Sequence, residues 1–311
     1  MVGIVLTLIV FLMAVGIVPA IRWPRVGGRP AGSPVADRAE TCMRRAMEAI
    51  AAAKAEAGVV SLGVPPGAAG ALIGSEWTPL VTTLGSLEAK QLASAPVWAA
   101  VLSERIRERG LDASDLVAAS FSGSFPGLNL ATVCACQAMD ITVLAVSSVT
   151  ASAWGATDPG FTWPEMEVIL ARAGIITAVT LAVSVGGDGD RGLDLEEEGR
   201  ALAQSIAEQT SAALGARHLR PTSLEDAIRA RLHLLDRAAG TRRLGLFVNV
   251  GGTSASLGRS PAILRLKSGW VPPRPFDLGS GRGLVARMVE RGVPVLHLLN
   301  VRDLAARWGV L

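Results

Sequence analysis

The stretch LVAASFSGSFPGLN, residues 116–129, decides the fold. Leu116 to Phe121 is apolar on both faces, a Gly/Ser/Pro turn follows, and an apolar helical pattern starts at Leu128 and runs to Met139. A strand without a polar face is buried between two helix layers, as parallel sheets require. The same sequence of events recurs outward from it. Further strands are expected at Ile141–Val146, Ile175–Val185, Leu244–Val250 and Val293–Leu299. Helices are expected at Trp163–Ala173, Leu193–Leu214, Ser223–Ala239, Gly283–Arg291 and Val301–Trp308. Alternating strands and helices make this an α/β chain, with a mostly parallel, Rossmann-like three-layer sheet domain with crossover helices over residues 114–311. The helix expected at Leu193–Leu214 carries Glu196, Glu197 and Glu198 in an expected first turn from Asp194, where acids complement the helix dipole.

Upstream, residues 35–113 form a helical N-terminal part. Val35–Ala57 has Cys42, Ala46, Ala49, Ile50 and Ala53 at helical spacing, and Gly58 ends it. Residues 23–34 are a Gly/Pro-rich linker. Residues 1–22 read as a single-pass membrane anchor: Val2–Ile21 is apolar except for Thr7, with Arg22, Trp23, Arg25 and Arg29 following it. At about 1.5 Å per residue such a run spans roughly 30 Å, the thickness of a hydrocarbon core. Val18-Pro19-Ala20 loosely fits a signal cleavage site, but the run lacks a basic n-region and is longer than a signal core. The arginines favour a cytoplasmic body, a bias that a large C-terminal domain can override, so both orientations stay open.

Composition excludes some classes. The formal charge is only +3 and lysine occurs only at Lys54, Lys90 and Lys267, so nucleic acid has no electrostatic footprint here. Cys134 and Cys136 are too close to bridge and Cys42 is distant in sequence, which leaves no visible disulfide framework. No Walker pattern occurs, and no cofactor is implied.

In an open parallel sheet the strand ends share one crevice, so the turns there are the expected site. Ser122, Gly123, Ser124 and Gly127 of SGSFPGLN, and Gly251, Gly252, Thr253 and Ser254 of GGTSASLG, offer backbone amides to an anion. The same residues also suit bare tight connections. Residues 147–163 form a hydroxyl-rich loop with Trp154 and Trp163, long enough for a binding wall or an aromatic plug. Asp188 and Asp190 in GGDGDRG, residues 186–192, are a weak magnesium candidate beside the plainer reading of a solvated turn; the calcium-loop pattern fails at Leu193 and Gly199. None of His218, His233 and His297 is set against a serine in an elbow motif, and no zinc spacing exists.

Four segments, in order, carry a resemblance: GSEWTPLVTTLG (74–85) with Lys90 after it, SGSFPGLN (122–129), AWGATDPGFTWPEME (153–167) and VSVGGDGDRG (183–192). Together they make the chain from about Ile73 onward resemble the bacterial poly-γ-glutamate system protein family. The resemblance implies a membrane-associated accessory of poly-γ-glutamate synthesis or export, whose partners are the synthase/export membrane components and the anionic polymer of a capsule or released product. It implies no catalytic residues. Two classes of function follow. One is a non-catalytic accessory that binds the synthase complex or the polymer, with Lys90 as charge partner. The other is a hydrolase or amidoligase-like enzyme acting on γ-glutamyl chains, with Glu76 or Asp188 as acid/base and Ser122 or Ser124 as nucleophile or anchor. Glu76 stands among Thr78, Thr82 and Thr83, a setting for a buried carboxylate.

Overall fold

The computed structural model describes residues 33–260, 263, 265–271 and 281–311. The expected anchor at Val2–Ile21 lies outside the described residues, and among those described no helix is long and apolar enough to cross a membrane.

The first helix, α1 (Pro34–Glu56), starts where Ser33 Oγ accepts the Ala36 N–H at 3.3 Å and Pro34 needs no N–H partner. It buries Ala39, Met43, Ala46, Met47 and Ile50. Two further helices follow, α2 (Leu87–Ala93) and α3 (Val97–Arg107). Strand β1 (Val81–Thr83), upstream of both, pairs in parallel with β4 (Ala151–Ser152).

The main sheet has seven strands in the order β6-β5-β3-β2-β7-β9-β8. These are β2 (Leu116–Phe121), β3 (Thr142–Ser148), β5 (Thr180–Ser184), β6 (Arg217–His218), β7 (Leu244–Val250), β8 (Gly269–Val271) and β9 (Val295–Leu298). All neighbours are parallel except β8 and β9. The remaining helices are α4 (Pro126–Ala138), α5 (Trp163–Arg172), α6 (Glu197–Leu214), α7 (Leu224–Ala239), α8 (Ser254–Leu257), α9 (Leu284–Glu290) and α10 (Val301–Trp308).

Strand residues alternate between two apolar clusters, which explains the absence of a polar face. Val117, Ala119 and Phe121 join Leu246, Val248, Leu296 and Leu298 in one cluster with Met43 and Ile50 of α1, Trp98 and Leu102 of α3, and Leu130 of α4. Leu116, Ala118, Leu144 and Phe247 face the other way, onto Ile228 and Leu235 of α7 and Leu284 and Met288 of α9. The upstream helices therefore complete the core of the sheet. Packing is close where α4 begins: a Cβ on Gly127 would lie 2.3 Å from the Ala93 carbonyl oxygen. Gly127→Ala is expected to lose about 1–3 kcal/mol in urea denaturation, the usual range for overpacking against a rigid neighbour.

Two expected boundaries need correction. The third strand begins at Thr180 rather than Ile175, because buried Glu167 accepts the Val179 and Thr180 N–H groups at 2.8 and 2.9 Å and holds that approach as a loop. The acidic helix begins at Glu197 rather than Leu193, after a turn in which Leu193 is exposed. The antiparallel edge β8 and the small β1/β4 pair were not anticipated. Nor was the meeting of Cys42 and Cys134, whose sulfurs are 2.8 Å apart where α1 crosses α4.

Candidate functional site

Strand order reverses between β2 and β7. From β2 the chain builds outward through β3, β5 and β6, then returns to β7 and builds the other way through β9. Such a switch point leaves a crevice beyond the carboxyl ends of the two strands, because the connections after them leave on opposite sides. A cavity of about 510 Å³ lies there. Ser122, Ser124 and Phe125 after β2 and Gly252, Thr253 and Ser254 after β7 line it together, so the two expected turns share one site. Thr150 and Ser152 come from the segment after β3, and Gly187, Asp188 and Asp194 from the segment after β5. Thr82 to Lys90 closes the remaining wall.

Lys90 is the deepest charged group of this wall. It stands on α2, a helix capped by Ser86 Oγ on the Ala89 N–H, and is only 3% exposed. Its Nζ donates to Ser152 Oγ at 2.7 Å and to the Ser124 carbonyl, and sits 4.0 Å from the centre of the Phe125 ring. No carboxylate pairs with it among the described residues. Burial without a counter-charge pushes its pKa down to about 7. The other buried lysine, Lys54, shows the contrast: it pairs with Asp158 at 3.1 Å.

The hydroxyls of the site are tied to each other through the backbone. Ser122 Oγ accepts the Ser124 N–H at 3.1 Å, and Ser124 Oγ accepts the Ser152 N–H at 3.0 Å. Close approach of the turns explains two glycines. A Cβ on Gly123 would lie 2.9 Å from the Thr150 carbonyl oxygen, and Gly251, at φ +87°, would place one 2.8 Å from Ser122 Cβ. Gly123, Gly127 and Gly251 are thus packing residues next to the cavity, while Gly252 lines it. Below the β7 turn, Asn249 Nδ2 donates to the Gly251 carbonyl at 2.9 Å and to His297 Nδ1 at 2.8 Å. Burial lowers the His297 pKa to about 4, so the ring stays neutral and serves as this brace.

The two aspartates of GGDGDRG part company. Asp188 lines the cavity and pairs with Arg259 at 2.6 Å. Asp190 turns inward and is held by Arg231, with Arg231 Nη2 at 2.7 Å from Oδ1, and by the Ser184 hydroxyl at 2.8 Å. That division removes the shared magnesium site suggested by their spacing. No group of three or more His, Cys, Asp or Glu side chains suited to a metal ion occurs among the described residues. Glu76 is exposed and stands outside the cavity, contrary to the expectation of a buried acid.

Sequence reasoning missed Ser152. The loop from 147, expected as a binding wall or an aromatic plug, contributes Thr150 and Ser152 to the cavity, and six hydroxyls spread over residues 147–162 give no reason to single out the one that meets Lys90. The mark that singles out this stretch lies two residues later and is visible only in the structure. Trp154 has φ +64°, a conformation that costs a non-glycine residue energy and tends to persist at functional sites. No protein-family model matches the chain, and no curated protein or solved structure matches it either.

Proposed function

We propose that the crevice between the β2 and β7 ends recognises a carboxylate-bearing chain of γ-glutamyl type. In this reading the protein is an accessory of poly-γ-glutamate synthesis or export, held at the cell membrane by the Val2–Ile21 segment and working beside the synthase/export membrane components. The observation that carries the proposal is Lys90, a buried amine on the wall of a cavity rich in hydroxyls, with no carboxylate paired to it among the described residues; the two acids of that wall, Asp188 and Asp194, are engaged elsewhere. A ligand carboxylate supplies the missing partner and is favoured by the low local dielectric. Support for the γ-glutamyl chemistry comes from the order of the four motifs.

The pH dependence follows from the same group. Binding of a carboxylate favours the ammonium form of Lys90, whose pKa is about 7 in the free protein. Affinity is therefore full below that value and falls as pH rises through it, by up to roughly tenfold per unit while the bound complex stays protonated. Calorimetric titration of the full-length chain in mild detergent with oligo-γ-glutamate, at pH 6 and pH 8.5, measures this. Salt should weaken binding only moderately, since the charge contact is buried and screening acts on exposed charges over about 10 Å at 0.1 M. Absence of binding at pH 6 and low salt rejects the reading.

A further inference from the structure

We propose that Ser152 and Lys90 are a nucleophile and its general base, and that the cavity hydrolyses amide bonds of the γ-glutamyl chains it holds. The inference rests on the proposed ligand and adds a reaction to it. Its geometric basis is a hydroxyl and an amine 2.7 Å apart, both buried, on the wall of the cavity at the topological switch point. The two side chains come from separate elements, α2 and β4, and each is fixed. Lys90 is held by the Ser124 carbonyl and the Phe125 ring, and Ser152 by its N–H on Ser124 Oγ and by β4 pairing with β1. A nucleophile, a base within hydrogen-bond reach and a third group orienting the base form the arrangement such chemistry requires.

A serine needs a base that is neutral near the working pH. Desolvation of Lys90 provides one, since a substantial fraction of the amine is unprotonated at pH 7. The charged groups around it do not reverse this. Glu88, on the same helix, faces outward to Arg302 of α10, Asp188 across the cavity is paired with Arg259, and Asp194 accepts the Asp188 N–H at 2.8 Å.

The steps balance with water as the only co-reactant. Ser152 Oγ attacks the amide carbonyl carbon while its proton passes to Lys90 Nζ. The C–N bond then breaks, and the leaving nitrogen takes that proton, which gives an acyl ester on Ser152 and a free amine. Water attacks the ester, delivers a proton to Lys90, and the C–O bond to Ser152 breaks as Lys90 returns the proton to the serine oxygen. The hydroxyls of Ser122 and Ser124 each accept a backbone N–H and have no acceptor for their own protons among the described residues, so they are available to a developing oxyanion.

Incubation of the full-length chain with oligo-γ-glutamate, followed by mass spectrometry and amine titration, reads the reaction, and labelling by a fluorophosphonate reads the nucleophile. At substrate levels well below saturation, where the rate follows the free protein, chain shortening and labelling should both rise with pH through about 7, opposite in sign to binding. Ser152→Ala should lose at least 10³-fold in turnover and all labelling while still binding the oligomer calorimetrically. Lys90→Arg keeps the cation and removes the titratable base, so it should retain binding at pH 8.5 and lose turnover. Binding without any turnover or labelling in the natural chain overturns the nucleophile pair and leaves the ligand reading standing. Turnover that survives Ser152→Ala also overturns it. No binding at all overturns the ligand reading.

Discussion

Asp190→Ala is expected to lose about 3–5 kcal/mol of folding stability, measured by urea denaturation of the full-length chain. The loss comes from what the substitution leaves behind. Arg231 is 1% exposed, and among the described residues its guanidinium is held only by Asp190, Ser184 and a 3.5 Å contact to the Ala227 carbonyl. Removing one partner of a buried pair strands the other charge away from water, and that penalty exceeds what the intact pair contributes. Asp188→Ala, two residues earlier on the same loop, supplies the control. Its pair with Arg259 is about half exposed on both sides, so screening and side-chain entropy leave it worth about 0–1 kcal/mol. Equal losses from the two variants would mean that the inward turn of Asp190 is wrong.

The contrast between these aspartates also shows what a sequence can and cannot reveal. Local pattern was enough for Leu116–Phe121, Leu244–Val250 and Val301–Trp308, whose observed bounds coincide with the expected ones. There the apolar period and the flanking Gly, Ser or Asn act within a few residues of the chain. The third strand failed because Ile175 and Ile176 continue the β-branched run, while Glu167, 12 and 13 residues upstream of Val179 and Thr180, takes their backbone hydrogen bonds. Edge strand β8 is three residues long and carries no period at all. Its place depends on the register of Trp270 against Leu296.

For the site, the crevice was legible because strand ends in a parallel sheet must share an edge. Its chemistry was less so. Lys90 with Ser152 are 62 positions apart and Asp190 with Arg231 are 41 apart, and nothing in either local pattern points to its partner. Cys42 and Cys134, 92 apart, meet only because α1 packs across α4. Glycines misled in a consistent way: in SGSFPGLN, Gly123 and Gly127 permit close backbone packing beside the cavity, and the polar side chains of the turn that line it are those of Ser122 and Ser124.

Lys90→Met should separate stability from function with opposite signs. Methionine keeps most of the aliphatic stem and removes an ammonium that the fold holds buried, with no carboxylate paired to it among the described residues. The Lys90 pKa falls from 10.5 to about 7 on folding. At about 1.4 kcal/mol per unit this bounds the cost of keeping the charge at roughly 5 kcal/mol at pH 6. Loss of the hydrogen bonds to Ser152 and the Ser124 carbonyl, about 1 kcal/mol each, and the imperfect fit of a thioether offset part of that. The variant should therefore gain about 1–3 kcal/mol over the natural chain in urea denaturation at pH 6. Between about pH 7 and 10.5 the unfolded natural chain binds the extra proton, so natural stability rises with pH and the advantage of the variant shrinks to zero or below. At pH 6 the variant should bind oligo-γ-glutamate at least 30-fold more weakly than the natural chain, about 2 kcal/mol, as expected when a buried charge-assisted contact is removed. A variant that is no more stable at pH 6 would show that Lys90 already has a compensating charge, and the argument for a carboxylate ligand would lose its foundation.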